Sequence, residues 1–205
     1  MQQSLIHIYL SSGVVCLLLA LGFLVSKKLQ VLPARLLGIN YLICATQNFL
    51  AVFALGFGWD LAAMLRASIA MSVGPAGYFY YCSLVENERV ISNRWLLHLL
   101  PAVLLVVLWI SHAHLLWMVE YLIISSFAIY LLLTFRLLIG GKQRLQHLAQ
   151  YAGAAYRWLV VVAAIMTINL IIELSIALEL LTGVPLRDSV ALVLGAGAFL
   201  LFHAT

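Results

Sequence analysis

Seven long apolar runs, separated by short polar stretches, dominate this chain. They occupy residues 5–25, 36–57, 61–84, 95–111, 115–139, 156–181 and 189–203. Most of them reach the length of about 20 residues that a helix needs to cross the hydrocarbon of a bilayer. Hydrophobic residues fill 65% of the 205 positions and charged residues only 9%, against about 45–50% and about 25% in a soluble domain. No soluble core could hide that much apolar surface, whereas lipid needs no polar shell around the protein. The expected fold class is all-α: a polytopic membrane bundle of about seven transmembrane helices, forming a single domain over residues 1–205.

The first run follows Met1-Gln2-Gln3-Ser4 without a basic leader and ends at Lys27-Lys28 without a small-residue cleavage site, so it reads as a span rather than a cleaved signal. The connections are short. Pro33 lies in the first, Gly58-Trp59-Asp60 is a tight turn, and residues 86–94 hold four charges. The longest, residues 140–155, is polar and is expected at the membrane surface. The net charge of +4 does not mark a nucleic-acid surface, because the basic residues sit between apolar runs. They are topology signals, since short cytoplasmic loops retain Lys and Arg. The first, third and fifth connections carry Lys27, Lys28, Arg35, Arg89, Arg94, Arg136, Lys142, Arg144 and Arg157, nine of the eleven. That bias predicts an outside N-terminus, with Asp60, the His112-Ala113-His114 turn and Pro185-Leu186-Arg187-Asp188 on the same side, and an inside C-terminus.

An ionisable side chain within the bilayer is costly, so each one inside a run calls for a partner or a function. Arg66 stands five residues past Leu61 and Glu120 five past Leu115; both runs start at the outer face, which puts each about 7 Å deep at the helical rise. Equal depth predicts an Arg66–Glu120 pair, either a salt bridge locking the third helix to the fifth or a ligand contact. Glu173 falls near mid-membrane with Asn169 one turn away, so the two share a face directed into the bundle. They are candidate ligand-binding residues, with helix-to-helix hydrogen bonding as the structural alternative. Glu179, nearer the rim, is expected to be solvated. In the second run Asn40, Gln47 and Asn48 fall on one stripe and read as packing glue.

The third run carries Gly74-Pro75-Ala76-Gly77 and then Tyr78, Phe79, Tyr80 and Tyr81. Proline removes a backbone donor and frees a carbonyl, and the flanking glycines permit a bend. Gly74, Pro75 and Gly77 are therefore candidate hinge residues, with a static bend as the alternative; the tyrosines could equally form an aromatic belt at the inner interface. No enzymatic constellation is recognisable: no G-x-S-x-G, no H-E-x-x-H and no paired carboxylates with metal-ligand spacing. His112 and His114 read as a surface pair, and His7, His98, His147 and His203 are scattered. Cys16, Cys44 and Cys82 read as membrane-buried thiols. The expectation is a protein that is not an enzyme and uses no metal and no cofactor.

Gly74-Pro75 followed by Tyr78, Tyr80-Tyr81 and Leu84, then charged residues, then His98-Leu99-Leu100-Pro101 opening the next run, resembles the membrane-embedded sensor domain of some bacterial AraC-type transcription regulators. The resemblance covers most of the chain loosely. It implies a multi-pass protein of the bacterial inner membrane that binds a small-molecule signal among its helices, near Glu173, Asn169, Glu120 and Arg66. It also implies a homodimer that passes the change to a cytoplasmic helix-turn-helix module. This sequence departs from the pattern by ending at Thr205 with no linker and no such module, so contact with DNA would belong to a domain outside it. Two other readings stand beside this one. A small transporter or channel would also use buried carboxylates, though no inverted repeat is visible. An assembly or scaffold subunit would account for the lack of motifs.

Overall fold

An apolar run in hydrocarbon has no water to satisfy its peptide groups, so the backbone bonds close within the segment and a helix results. The computed structural model describes residues 2–26, 31–85, 97–110 and 116–183. Helix α1 spans Gln2–Val25, α2 Leu32–Phe57, α3 Asp60–Val85, α4 Leu100–Ile110, α5 Leu116–Ile139 and α6 Ala152–Leu181. A 3-10 segment, Gly141–Tyr151, joins α5 to α6. No strand occurs among the described residues.

Four stretches are long and apolar enough to cross a membrane: Gln3–Val25, Leu32–Phe57, Val119–Ile139 and Gly141–Glu179. The third and fourth expected spans do not meet that measure, for different reasons. Helix α3 has the length but carries Asp60, Arg66, Pro75 and a row of tyrosines. Helix α4 is described over 11 residues, and residues 111–115 that follow it lie outside the described residues. The seventh expected run, residues 189–203, lies outside the described residues. So do Lys27, Lys28, the charged connection 86–94, the His112 and His114 turn, and Arg187.

Local chemistry sets the ends. Pro33 stands in the first turn of α2, where a missing N–H costs nothing. Gly58 closes α2 with φ +66°, its N–H donating to the Ala54 carbonyl at 3.1 Å while Trp59 N–H reaches the Phe53 carbonyl at 3.4 Å. That left-handed cap suits glycine alone among common residues. Asp60 then opens α3, a negative charge at a positive helix end.

Helices α1 and α2 pack antiparallel. Leu5 and Tyr9 of α1 share a buried cluster with Ala51 late in α2 and Ile176 late in α6. At the opposite end Leu36 of α2, Tyr81 of α3, Leu137 of α5, Leu145 of the 3-10 segment and Leu159 of α6 form a second cluster. Met71, Leu105 and Phe127 tie α3, α4 and α5 together between them. Burial is inverted relative to a water-soluble domain: Leu18, Leu132, Ile139 and Leu178 are exposed, while Ser12, Asn48, Ser68 and Thr134 are buried.

Charge separates along the bundle axis. Among the described residues, Arg35, Arg136, Lys142, Arg144 and Arg157 gather at the end where α2 and α6 begin and α5 finishes. Asp60, Glu120, Glu173 and Glu179 gather at the other end, where Arg66 is the one Lys or Arg among the described residues. Between these two levels the described helices carry no Lys, Arg, Asp or Glu.

Candidate ligand site within the bundle

Helices α2, α3 and α6 line a half-open cavity of about 110 Å³, approaching the size of an apolar cavity of about 150 Å³ that admits benzene. Its wall includes Asn40 and Cys44 from α2, Tyr80 from α3, and Trp158, Met166 and Asn169 from α6. Apart from two asparagine amides and the heads of a few aromatic and thiol groups, the lining is hydrocarbon, the usual makeup of a small-molecule pocket. Asn169, which its spacing to Glu173 marks as inward-facing, stands in this wall. Asn40 reads in the sequence only as glue, and it does that too: its Nδ2 donates to the Ala76 carbonyl of α3 at 3.0 Å and to Leu36 of its own helix at 3.1 Å.

The α3 side of the cavity is held to α6 by side chains rather than by close backbones. Trp158 Nε1 donates to the Tyr80 hydroxyl at 2.8 Å, and the Tyr81 hydroxyl donates to the Leu159 carbonyl. Phe79, Tyr80 and Tyr81 are all buried, Tyr81 completely, so they are a helix-to-helix seam and not a lipid-facing belt. Gly77 faces Met166 across the same gap, where an added Cβ would lie 3.5 Å from Sδ.

Glu173 sits one turn beyond Asn169 on α6, half-buried, and interacts electrostatically with both Arg66 and Glu120. Arg66 acts on Glu120 as well, so the two residues expected to pair share one electrostatic neighbourhood with Glu173. The guanidinium lies over the ring of Tyr9 from α1, 5.6 Å from its centroid, within cation–π range. Sequence reasoning misses Tyr9 because α1 is apolar on every side, so nothing marks the face that turns inward. Four helices thus supply one polar group each to a cluster directly past the cavity. Glu179, expected in solvent, is half-buried.

The expected hinge is a packing site in this conformation. Helix α3 runs through Pro75 as one helix, and the carbonyl that the proline leaves without a donor is that of Met71. Ser126 Oγ of α5 donates to it at 3.4 Å, the kind of side-chain substitution that makes membrane prolines tolerable. Gly74 is buried against Tyr130, and an added Cβ would lie 3.0 Å from its ring. The Tyr130 hydroxyl in turn shares a hydrogen bond of 2.6 Å with His98 Nδ1, and His98 meets Phe79 edge-on at 5.2 Å. In the sequence His98 stands out only as part of a motif, and its partner Tyr130 does not stand out at all. Cys16, Cys44 and Cys82 form no disulfide.

Fold and site together define an all-helical protein with four helices apolar enough to cross a membrane and a small internal cavity beside a cluster of ionisable groups. No protein-family profile matches the chain, and neither do any of the curated proteins or solved structures with which it was compared.

Proposed function

We propose that this chain is a membrane-embedded sensor that takes a small, mainly apolar molecule into the cavity between α2, α3 and α6. The observation that carries this reading is Asn169 in the cavity wall with Glu173 one turn away in the Arg66 cluster. A ligand held by the Asn40 and Asn169 amides touches the same helix that carries the ionisable groups. Displacing α6 or α3 alters the Trp158–Tyr80 seam, and the change travels to the end of the bundle where the basic residues gather. On this reading the bundle is multi-pass, with its N-terminus outside and C-terminus in the cytoplasm of a bacterium. Its output is a cytoplasmic DNA-binding module in a homodimer, as in the AraC-type regulators it resembles. The charge separation between the two ends supports that orientation.

The test is a DNA-binding reporter fused after Thr205, screened against membrane-permeant small molecules. Ligands that switch the reporter are expected to lose their effect in Asn169→Leu and in Asn40→Leu. Ligands that act equally well on both variants would remove the cavity from the account. A second reading, proton-coupled movement of a solute, draws on the Arg66, Glu120 and Glu173 cluster lying next to a cavity. Uptake by proteoliposomes that is abolished in Glu173→Gln would favour it over sensing.

A further inference from the structure

A second recess lies on the outside of the bundle, between α5 and α6. It has a volume of about 430 Å³ and is lined by Phe135 and Leu138 from α5 and by Val160, Ala164, Thr167 and Ile168 among others from α6. Small residues on α6 make the groove: Ala163, Ala164 and Thr167 leave room that larger side chains would fill. The hydroxyl of Thr167 is spent, since it donates to the Ala163 carbonyl at 2.9 Å. An occupant therefore meets a purely hydrocarbon wall.

The mouth of this groove is basic. Arg157, Val160, Ala164 and Thr167 follow one another at helical spacings of three, four and three on α6, so Arg157 heads the stripe that lines the groove. Arg136 stands in the last turn of α5, at the same end of the bundle but about 100° around the helix from Phe135. The segment bridging the two helices adds Lys142 and Arg144. It is pinned in place by Leu145, which is 1% exposed in the cluster beneath, and Gly140 leaves space for the Arg144 side chain to lie against the backbone. All four cations are exposed, and no carboxylate lies at this end among the described residues.

We propose that the α5/α6 groove and its basic mouth bind one anionic phospholipid, with an acyl chain along the groove and the phosphate held by Arg157, in the positive field that Arg136, Lys142 and Arg144 supply at the same end. Charge complementarity selects the headgroup, and the apolar wall selects a lipid over a soluble anion. The site is separate from the cavity between α2, α3 and α6 and does not depend on what that cavity binds.

Purified protein in neutral detergent is titrated with phosphatidylglycerol or with phosphatidylcholine of the same chain length, following thermal unfolding. Phosphatidylglycerol is expected to stabilise at much lower concentration. Arg157→Gln should raise the half-saturating concentration about five-fold, the contribution of one Lys or Arg near an anionic surface. Arg157→Lys should largely restore it, and Arg35→Gln, at the same end but off the groove, should leave it unchanged. Ala164→Leu, which fills the groove, should weaken both lipids alike. Equal response to the two lipids overturns the proposal, as does an Arg157→Gln protein that behaves like Arg35→Gln. Competition by inorganic phosphate as strong as by the lipid would reduce the site to a free-anion site. Unchanged lipid affinity in Ala164→Leu would mean that the groove holds no acyl chain.

Discussion

Arg66 answers to three side chains at once, the Tyr9 ring and the carboxylates of Glu120 and Glu173. Removing it takes away the positive charge that acts on both carboxylates. Arg66→Leu is expected to destabilise the bundle by up to about 3 kcal/mol, the low end for breaking a buried pair, because all three ionisable groups are only half-buried. Adding Glu173→Gln should recover much of that loss, and a double-mutant cycle on thermal unfolding measures the coupling. If Arg66→Leu and Glu173→Gln simply add, the three groups do not form a unit. Part of this cluster was legible in the chain, since Arg66 and Glu120 stand at equal distances from the starts of their runs. Glu173 was legible as an inward residue but not as their neighbour, because spacing along one helix fixes direction and says nothing of which other helix faces it. Tyr9 and Tyr130 were not legible, as an aromatic residue in an apolar helix looks the same whether it meets lipid, a cation or an imidazole.

At the scale of the helix, α3 shows how a proline is carried inside a bundle. Its freed Met71 carbonyl takes a hydrogen bond from Ser126 of α5, so Ser126→Ala should cost about 0.6 kcal/mol, the average for such bonds between membrane helices. In a Pro75→Ala background the backbone N–H restored at that position can donate to Met71 instead, and Ser126→Ala should then be close to neutral. A cost unchanged by Pro75→Ala would show that the serine does something other than replace the missing donor. Gly74→Leu, which drives a side chain into Tyr130, is expected to cost about 1–3 kcal/mol as overpacking, read as a lowered unfolding temperature. Helix positions were largely visible beforehand: the expected runs 36–57 and 61–84 correspond to Leu32–Phe57 and Asp60–Val85, meeting at the expected Gly58 turn. The early start of α6 at Ala152 was not visible. Hydropathy reports where lipid could go, and Pro101 within α4 or the polar Gly141–Tyr151 stretch follow helical geometry for reasons of packing, through Leu105 and Leu145.

For the molecule as a whole, the separation of charge makes a topology test direct. On the proposed orientation, a cysteine introduced as Arg144→Cys should react with a membrane-impermeant maleimide only when the inner face is opened. Trp59→Cys should react from outside in intact cells, both in a background without Cys16, Cys44 and Cys82. Reversal of that pattern would place the basic end outside and end the sensor reading in its present form. The same separation bears on assembly. Turning the bundle over would drag the cluster of cations at the basic end across hydrocarbon, each costing about 2.5 kcal/mol or more at the centre, so whichever way the chain is first threaded it stays for its lifetime. On the proposed orientation every copy is threaded the same way, so two that meet lie side by side with both tails in one compartment.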